Sequence, residues 1–306
     1  MKNAPLIPQS LRALMAEVGP RWGEAIGQNV KLMADEFSRV LADQPTGGAT
    51  VVRNIAYGAH PRQVLDVYRP ARESTETGAP LPVLIFAHGG AFVDGEKDRT
   101  PQVYANVLYY FARHGVLGIN LEYRQAPEFK YPSGAQDVGA AVAWARSHAA
   151  ENGGDPSRIF IMGHSAGAAH TGCYAYDTRL HPADGPGIAG HIVVSGRVRT
   201  EMRADNPNAP KVEAYCGDDP LALERASAVS HVTPSSVPSL VAFAEYENPL
   251  IDLHCCELVF RLTSAHRRSP RLMRLAGHNH TSIIAHFNTA EDALGREILE
   301  FIRTGH

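Results

Sequence analysis

Cysteine is scarce, with Cys173, Cys216, Cys255 and Cys256 the only four among 306 residues, and no two stand at C-x-x-C spacing. Two of them are adjacent. That pattern excludes a disulfide framework or a zinc knuckle as the organising device and fits buried, reduced thiols. No apolar run approaches the roughly eighteen residues a membrane span requires. The opening MKNAPLIPQSLRALMAEVGPRWGEA lacks the apolar core and small-residue cleavage pattern of a secretory leader. A cytoplasmic location is therefore expected. Charge of one sign is also missing: Lys and Arg total 29 against 32 Asp and Glu, a formal balance of −3, with no block of like charge. A nucleic-acid footprint would show as a basic stripe, so neither nucleic acid nor a membrane surface is an expected partner.

What is present is an ordinary globular composition, 44% apolar and 20% charged, in a chain long enough for one large α/β domain. We expect a single domain over 1–306, with 1–43 as a helical cap segment and 197–237 as an irregular segment near the site. Trp22, Ile26, Val30, Met33, Phe37, Val40 and Leu41 recur at helical spacing and predict one amphipathic stripe. Gly19-Pro20 separates it from a shorter helical stretch over Leu11–Val18. After Gly48 the period changes. TVVRNIAYG and QVLDVYRP read as half-buried strands. PVLIFAHGG, GVLGINLEYR, RIFIMGHS, GHIVVSG, SLVAFAEYE and RLMRLAG read as short apolar strands. Helical patterns lie between several of them, over 102–114, 133–152, 166–180, 253–265 and 291–304. Alternation of this kind implies a mainly parallel sheet covered on both faces, with its site at the carboxyl ends of the strands.

One strand ends on Gly163-His164-Ser165-Ala166-Gly167. G-x-S-x-G between an apolar strand and an Ala-rich helical segment is the setting of a nucleophile elbow. The tight turn requires small residues on either side of the serine, and the helix N-terminus favours developing negative charge. Ala166 can aim its amide at the same place. Upstream, the strand PVLIFA runs into His88-Gly89-Gly90. Consecutive glycines let backbone amides approach a substrate oxygen, so Gly89 and Gly90 are the expected oxyanion donors beside Ala166. His88 reads as a structural residue that fixes this loop.

HGGAF…GEKD, EYRQAPEFKYPSGAQDVGAAVAW and GGDPSRIFIMGHSAG, in this order, resemble the small esterases of the α/β-hydrolase family. The similarity is greatest to the branch containing hormone-sensitive-lipase-like carboxylesterases and arylformamidases, and it runs from about Val51 to the C-terminus. It implies an eight-stranded, mostly parallel sheet, a Ser–acid–His triad and no cofactor. Two departures stand out. Ala91 replaces a frequent third glycine, which should alter the pocket more than the oxyanion hole. His164 stands where the lipase-like branch usually has Asp and the formamidase-like branch often has His.

The family's chain order places the acid and then the base after the serine. NHTSII resembles its His-Phe-x-Ile pattern, which makes His280 the expected base and His278 the fallback. An H-x-H metal pair is the other reading of these histidines, but no further ligand is placed for it, so no metal is expected. The pattern Gly-x-x-Asp-x-Pro falls on residues 244–249 and puts the acid at Glu247, with Asp252 as the alternative and Glu245 the remaining carboxylate. The resemblance implies a carboxylesterase that cleaves a small ester through an acyl-enzyme on Ser165. Removal of a formyl group from an arylamine on the same triad, or a non-catalytic binding role, are the competing readings. Assembly is left open, with a homodimer as one candidate. Trp22, Phe37, Phe92 and Tyr215 are candidates for an acyl or aryl pocket, with core packing the plainer reading.

Overall fold

The computed structural model describes residues 4–71 and 79–306. Eight strands form one sheet: β1 (Ala49–Ala56), β2 (Val64–Pro70), β3 (Leu81–Ala87), β4 (Leu117–Leu121), β5 (Gly154–His164), β6 (Gly190–Val194), β7 (Ser239–Tyr246) and β8 (Arg271–Asn279). Their spatial order is β1-β2-β4-β3-β5-β6-β7-β8. β1–β2 and β2–β4 pair antiparallel, and every later neighbour is parallel. The mostly parallel, eight-stranded sheet is as expected, and each strand falls on a segment whose apolar pattern predicted it.

Parallel strands need covered crossovers, and helices supply them on both faces. They run, in order, α1 (Gln9–Val18), α2 (Ile26–Leu41), α3 (Ala105–Arg113), α4 (Ser133–His148) and α5 (Ala166–Tyr176). They continue with α6 (Ala209–Cys216), α7 (Pro220–Ala226), α8 (Ile251–His266), α9 (Ser282–Ala285) and α10 (Ala293–Thr304). Side chains alternate across each strand and so divide the core in two. Leu84, Phe86, Phe160 and Met162 pack with the N-terminal helices, α3 and α10. Val83, Ile85, Ile159 and Ile161 face α4, α5 and α8.

Two local expectations change. The N-terminal stripe is not one helix from Trp22. Residues Gly19–Ala25 form a 3₁₀ turn in which Arg21 leaves helical geometry (φ −107°, ψ 16°), and α2 begins at Ile26. Trp22 still reaches the core because its indole N–H finds the side-chain oxygen of Asn248 at 2.8 Å. The segment 197–237 is also less irregular than its composition suggests, because it contains α6 and α7. The Asp219 carboxylate caps α7 by accepting the Ala222 amide at 2.8 Å, and Pro220 occupies the first turn, where its missing N–H costs nothing. Among the described residues no helix is long and apolar enough to cross a membrane.

Candidate active site

The central strand β5 ends directly beneath the turn that carries Ser165. The serine adopts φ 56°, ψ −121°, a conformation costly for a residue with a Cβ, on the order of 1–3 kcal/mol. Packing on both sides enforces it. A Cβ at Gly163 would collide with the backbone of Ala168, and one at Gly167 with the carbonyl oxygens of Ala87 and His88. The two glycines thus let α5 descend onto β3 and β5 while Ser165 projects above them. Gly167→Ala is expected to cost about 3 kcal/mol, at the upper end for overpacking against backbone that cannot yield, read as a lowered urea midpoint.

Three side chains from three different loops meet here. His280, just beyond β8, places Nε2 3.0 Å from Ser165 Oγ and Nδ1 2.5 Å from Glu247 Oε2. Glu247 follows β7, and its side chain is only 3% exposed. Its other oxygen, Oε1, accepts the Ser195 hydroxyl at 2.5 Å and the Ala244 amide at 2.7 Å. A carboxylate held on both oxygens by donors keeps Nδ1 of His280 protonated and leaves Nε2 as the acceptor facing Ser165.

The other carboxylates and histidines named by the sequence lie elsewhere. Asp252 is exposed in the first turn of α8, where it accepts the Leu253 amide. Glu245 is tied to Arg274 and to the Gly277 amide at the sheet edge. His278 points away from Ser165 and pairs with Glu291 at 2.9 Å and Ser282 at 3.1 Å. Among the described residues no cluster of three or more His, Cys, Asp or Glu could hold a metal ion.

The loop after β3 departs from expectation in one respect. The Gly89 amide, expected as an oxyanion donor, is engaged by the Tyr104 hydroxyl at 3.2 Å. The amides of Gly90, Ala91 and Ala166 donate to no described residue. Ala91 takes a left-handed conformation, φ 50°, so the absent third glycine is replaced by a residue bent into a glycine-like geometry. His88 sits behind the loop, donating Nδ1–H to the Gly89 carbonyl at 2.8 Å, with Nε2 3.1 Å from Glu122 Oε1, and stacks on Tyr123. Burial alone would raise the Glu122 pKa, but hydrogen bonds from His88 and the Lys97 amide, with the nearby Arg62, hold it below the usual carboxylate range.

Four participants had no sequence signal. Ser195 follows β6 at φ 49°, and a serine after an apolar strand marks nothing by itself. Tyr104 bridges the Gly89 amide and, at 3.3 Å, His164. His164 in turn donates Nε2–H to the His280 carbonyl at 2.9 Å and braces the base from behind. Burial, with the neighbouring His280 adding to it, holds His164 far below the ordinary imidazole range, so it stays neutral. Asn248 ties the loop of Glu247 to Trp22. Arg197, finally, is buried beside the serine, its amide donating to the Ser165 carbonyl at 3.0 Å.

A cavity of about 290 Å³ opens in front of Ser165. Gly90, Ala91 and His280 form its base and Ile26, Gly27 and Val30 of the N-terminal helices one wall; Arg197, Asn208 and Lys211 come from the 197–237 segment. The aromatic residues suggested for an acyl or aryl pocket do not line it: Trp22, Phe37, Phe92 and Tyr215 are all core residues, Phe92 stacked on Tyr215 at 4.8 Å.

Known proteins share this overall fold. The bacterial heroin esterase superposes with a TM-score of 0.70 over 91% of both chains at 23% identity. The hyperthermophilic esterase of the archaeon Pyrobaculum calidifontis does so at 0.68 over 98% of both chains at 20% identity. The chain has the α/β-hydrolase fold. In sequence, the family described as BD-FAE matches residues 65–185. Esterase LipC of Mycobacterium tuberculosis is 31% identical over 243 residues, covering 74% of this chain and 59% of LipC. The chain spans 24% to 59% of the lengths of the first curated relatives it matches. The resemblance to esterases of this fold, expected from the ordered motifs, is thereby borne out.

Proposed function

We propose that this protein hydrolyses small carboxylic esters through an acyl-enzyme on Ser165. The observation that carries the reading is the continuous chain Ser165–His280–Glu247, with spacings of 3.0 and 2.5 Å, facing a cavity bordered by unengaged amides. His280 takes the Ser165 proton through Nε2 as Oγ attacks the ester carbonyl. The amides of Gly90, Ala91 and Ala166 are placed to hold the oxyanion; Gly89, already bonded to Tyr104, serves the shape of the loop instead. Collapse returns the proton to the leaving alcohol, and water repeats the sequence on the acyl-enzyme. Glu247 keeps His280 in the reactive tautomer and stabilises the imidazolium. The names of the relatives, esterases throughout those cited, agree with this chemistry. Four free thiols, two of them buried, fit a reducing compartment, so we place the protein in the cytoplasm.

A p-nitrophenyl alkylphosphonate mimics the tetrahedral species and should label the protein once, on Ser165, with loss of p-nitrophenyl acetate hydrolysis. Peptide mass spectrometry locates the adduct. Labelling at another residue with full loss of turnover would overturn the assignment. Turnover of N-formylkynurenine far above any ester would replace the ester by a formyl amide as substrate.

A further inference from the structure

Arg197 is the least expected group in the cavity. It begins the segment after β6, lines the space in front of Ser165, and is 2% exposed. A buried guanidinium normally sits in a fork of acceptors, because an unpaired buried charge is costly. This one has none: its side chain makes no hydrogen bond or ion pair with any described residue, and Nη1 is sealed without a partner. Two carboxylates lie within its field, Glu201 and Glu247, but both are committed. Glu201 Oε1 bonds His254 at 2.8 Å, and the oxygens of Glu247 are held by Ser195, Ala244 and His280. Burial lowers the Arg197 pKa only to about 10, so the group is a cation at neutral pH.

The rim repeats the sign. Arg99 and Lys211 line the mouth, exposed and in no ion pair among the described residues, against a single carboxylate, Asp94. Three cations facing one anion form a positive cavity on a chain whose formal charge is −3. Such a cavity draws in anions and offers them one desolvated, unsatisfied fork.

We propose that the site selects esters carrying a carboxylate, seated on Arg197 while Ser165 attacks the ester carbonyl. This rests on the esterase reading above and names its substrate class. Ester and carboxylate must be a few bonds apart, since about 290 Å³ holds only a small molecule. Arg197 acts in substrate binding; the chemistry stays with Ser165 and His280.

Isosteric pairs test it. Monomethyl succinate and methyl levulinate differ by a carboxylate against a methyl ketone on the acyl side, and acetoxyacetate and acetoxyacetone do so on the alcohol side. The wild-type protein should prefer the anion of at least one pair by about tenfold or more in kcat/KM, as a charge-assisted fork provides. The pair that discriminates tells which side of the ester carries the charge. In Arg197→Gln that ratio should fall towards one, and Arg197→Lys should recover part of it. Ratios near one in both wild-type pairs, or a ratio unchanged in Arg197→Gln, overturn the proposal. An effect of Arg197 on Glu247 alone would lower both partners equally and leave the ratio intact. Should no ester be hydrolysed, p-nitrophenyl acetate included, the esterase reading fails by itself. Calorimetric titration of Ser165→Ala with monomethyl succinate and methyl levulinate then decides the carboxylate site, tighter binding of the anion supporting it and equal or absent binding of both overturning it.

Discussion

Ser165→Ala should lower kcat/KM for p-nitrophenyl acetate by on the order of 10⁴-fold or more, the loss seen when a triad nucleophile is removed. Release of p-nitrophenolate measures it. The turn itself should survive, because its geometry is dictated by the backbone contacts of Gly163 and Gly167 and not by the hydroxyl. The amides of Gly90, Ala91 and Ala166 remain in place, so the variant should retain a small rate above the water reaction. Full loss to the uncatalysed rate, with a lowered urea midpoint, would mean that the substitution damaged the fold. Activity within tenfold of wild type would place the nucleophile elsewhere.

How legible each part was depended on how local its cause is. The eight strands were readable because alternation and apolar runs are written in consecutive residues, and the sheet faces divide as the strand period demands. Ser165 was readable for the same reason, since the elbow and its two glycines span five residues. His280 and Glu247 were reached only through the order of motifs in a resembling family; nothing near either residue distinguishes it from His278 or Asp252. The distinction is made by the tertiary placement of Ser195 and the Ala244 amide around one carboxylate. Gly89 shows the limit of a local motif. Two glycines in a row announce accessible amides, but a tyrosine fifteen residues away occupies the first of them. The break before Ile26 escaped a reading based on spacing, because a 3₁₀ turn keeps Trp22 near enough to its helical position to preserve the stripe. Arg197 is the extreme case. A lone arginine after a strand carries no message until burial and the absence of any acceptor are known.

Glu247→Gln should reduce turnover on the order of 10⁴-fold, because the surrounding donors force the histidine into its unreactive tautomer. The amide has one accepting and one donating end. At the position of Oε1 it meets the Ala244 N–H, 2.7 Å away and fixed in the main chain, so only its carbonyl oxygen can lie there. Its NH₂ must then face Nδ1 of His280, which becomes the acceptor. The imidazole proton moves to Nε2, where the ring donates to Ser165 Oγ and can no longer accept its proton. Ser195 cannot relieve the conflict, since its hydroxyl can rotate to give or accept whereas the Ala244 amide cannot. The same geometry predicts that Ser195→Ala, which leaves the Ala244 bond intact, costs far less than Glu247→Gln. Asp252→Asn should leave kcat/KM within a few-fold of wild type, because that carboxylate is exposed on α8 and caps only Leu253. Steady-state kinetics of the three variants on one ester decide the matter. Severe loss in Asp252→Asn beside near-normal rates in Glu247→Gln would remove Glu247 from the mechanism and, with it, the tautomer argument.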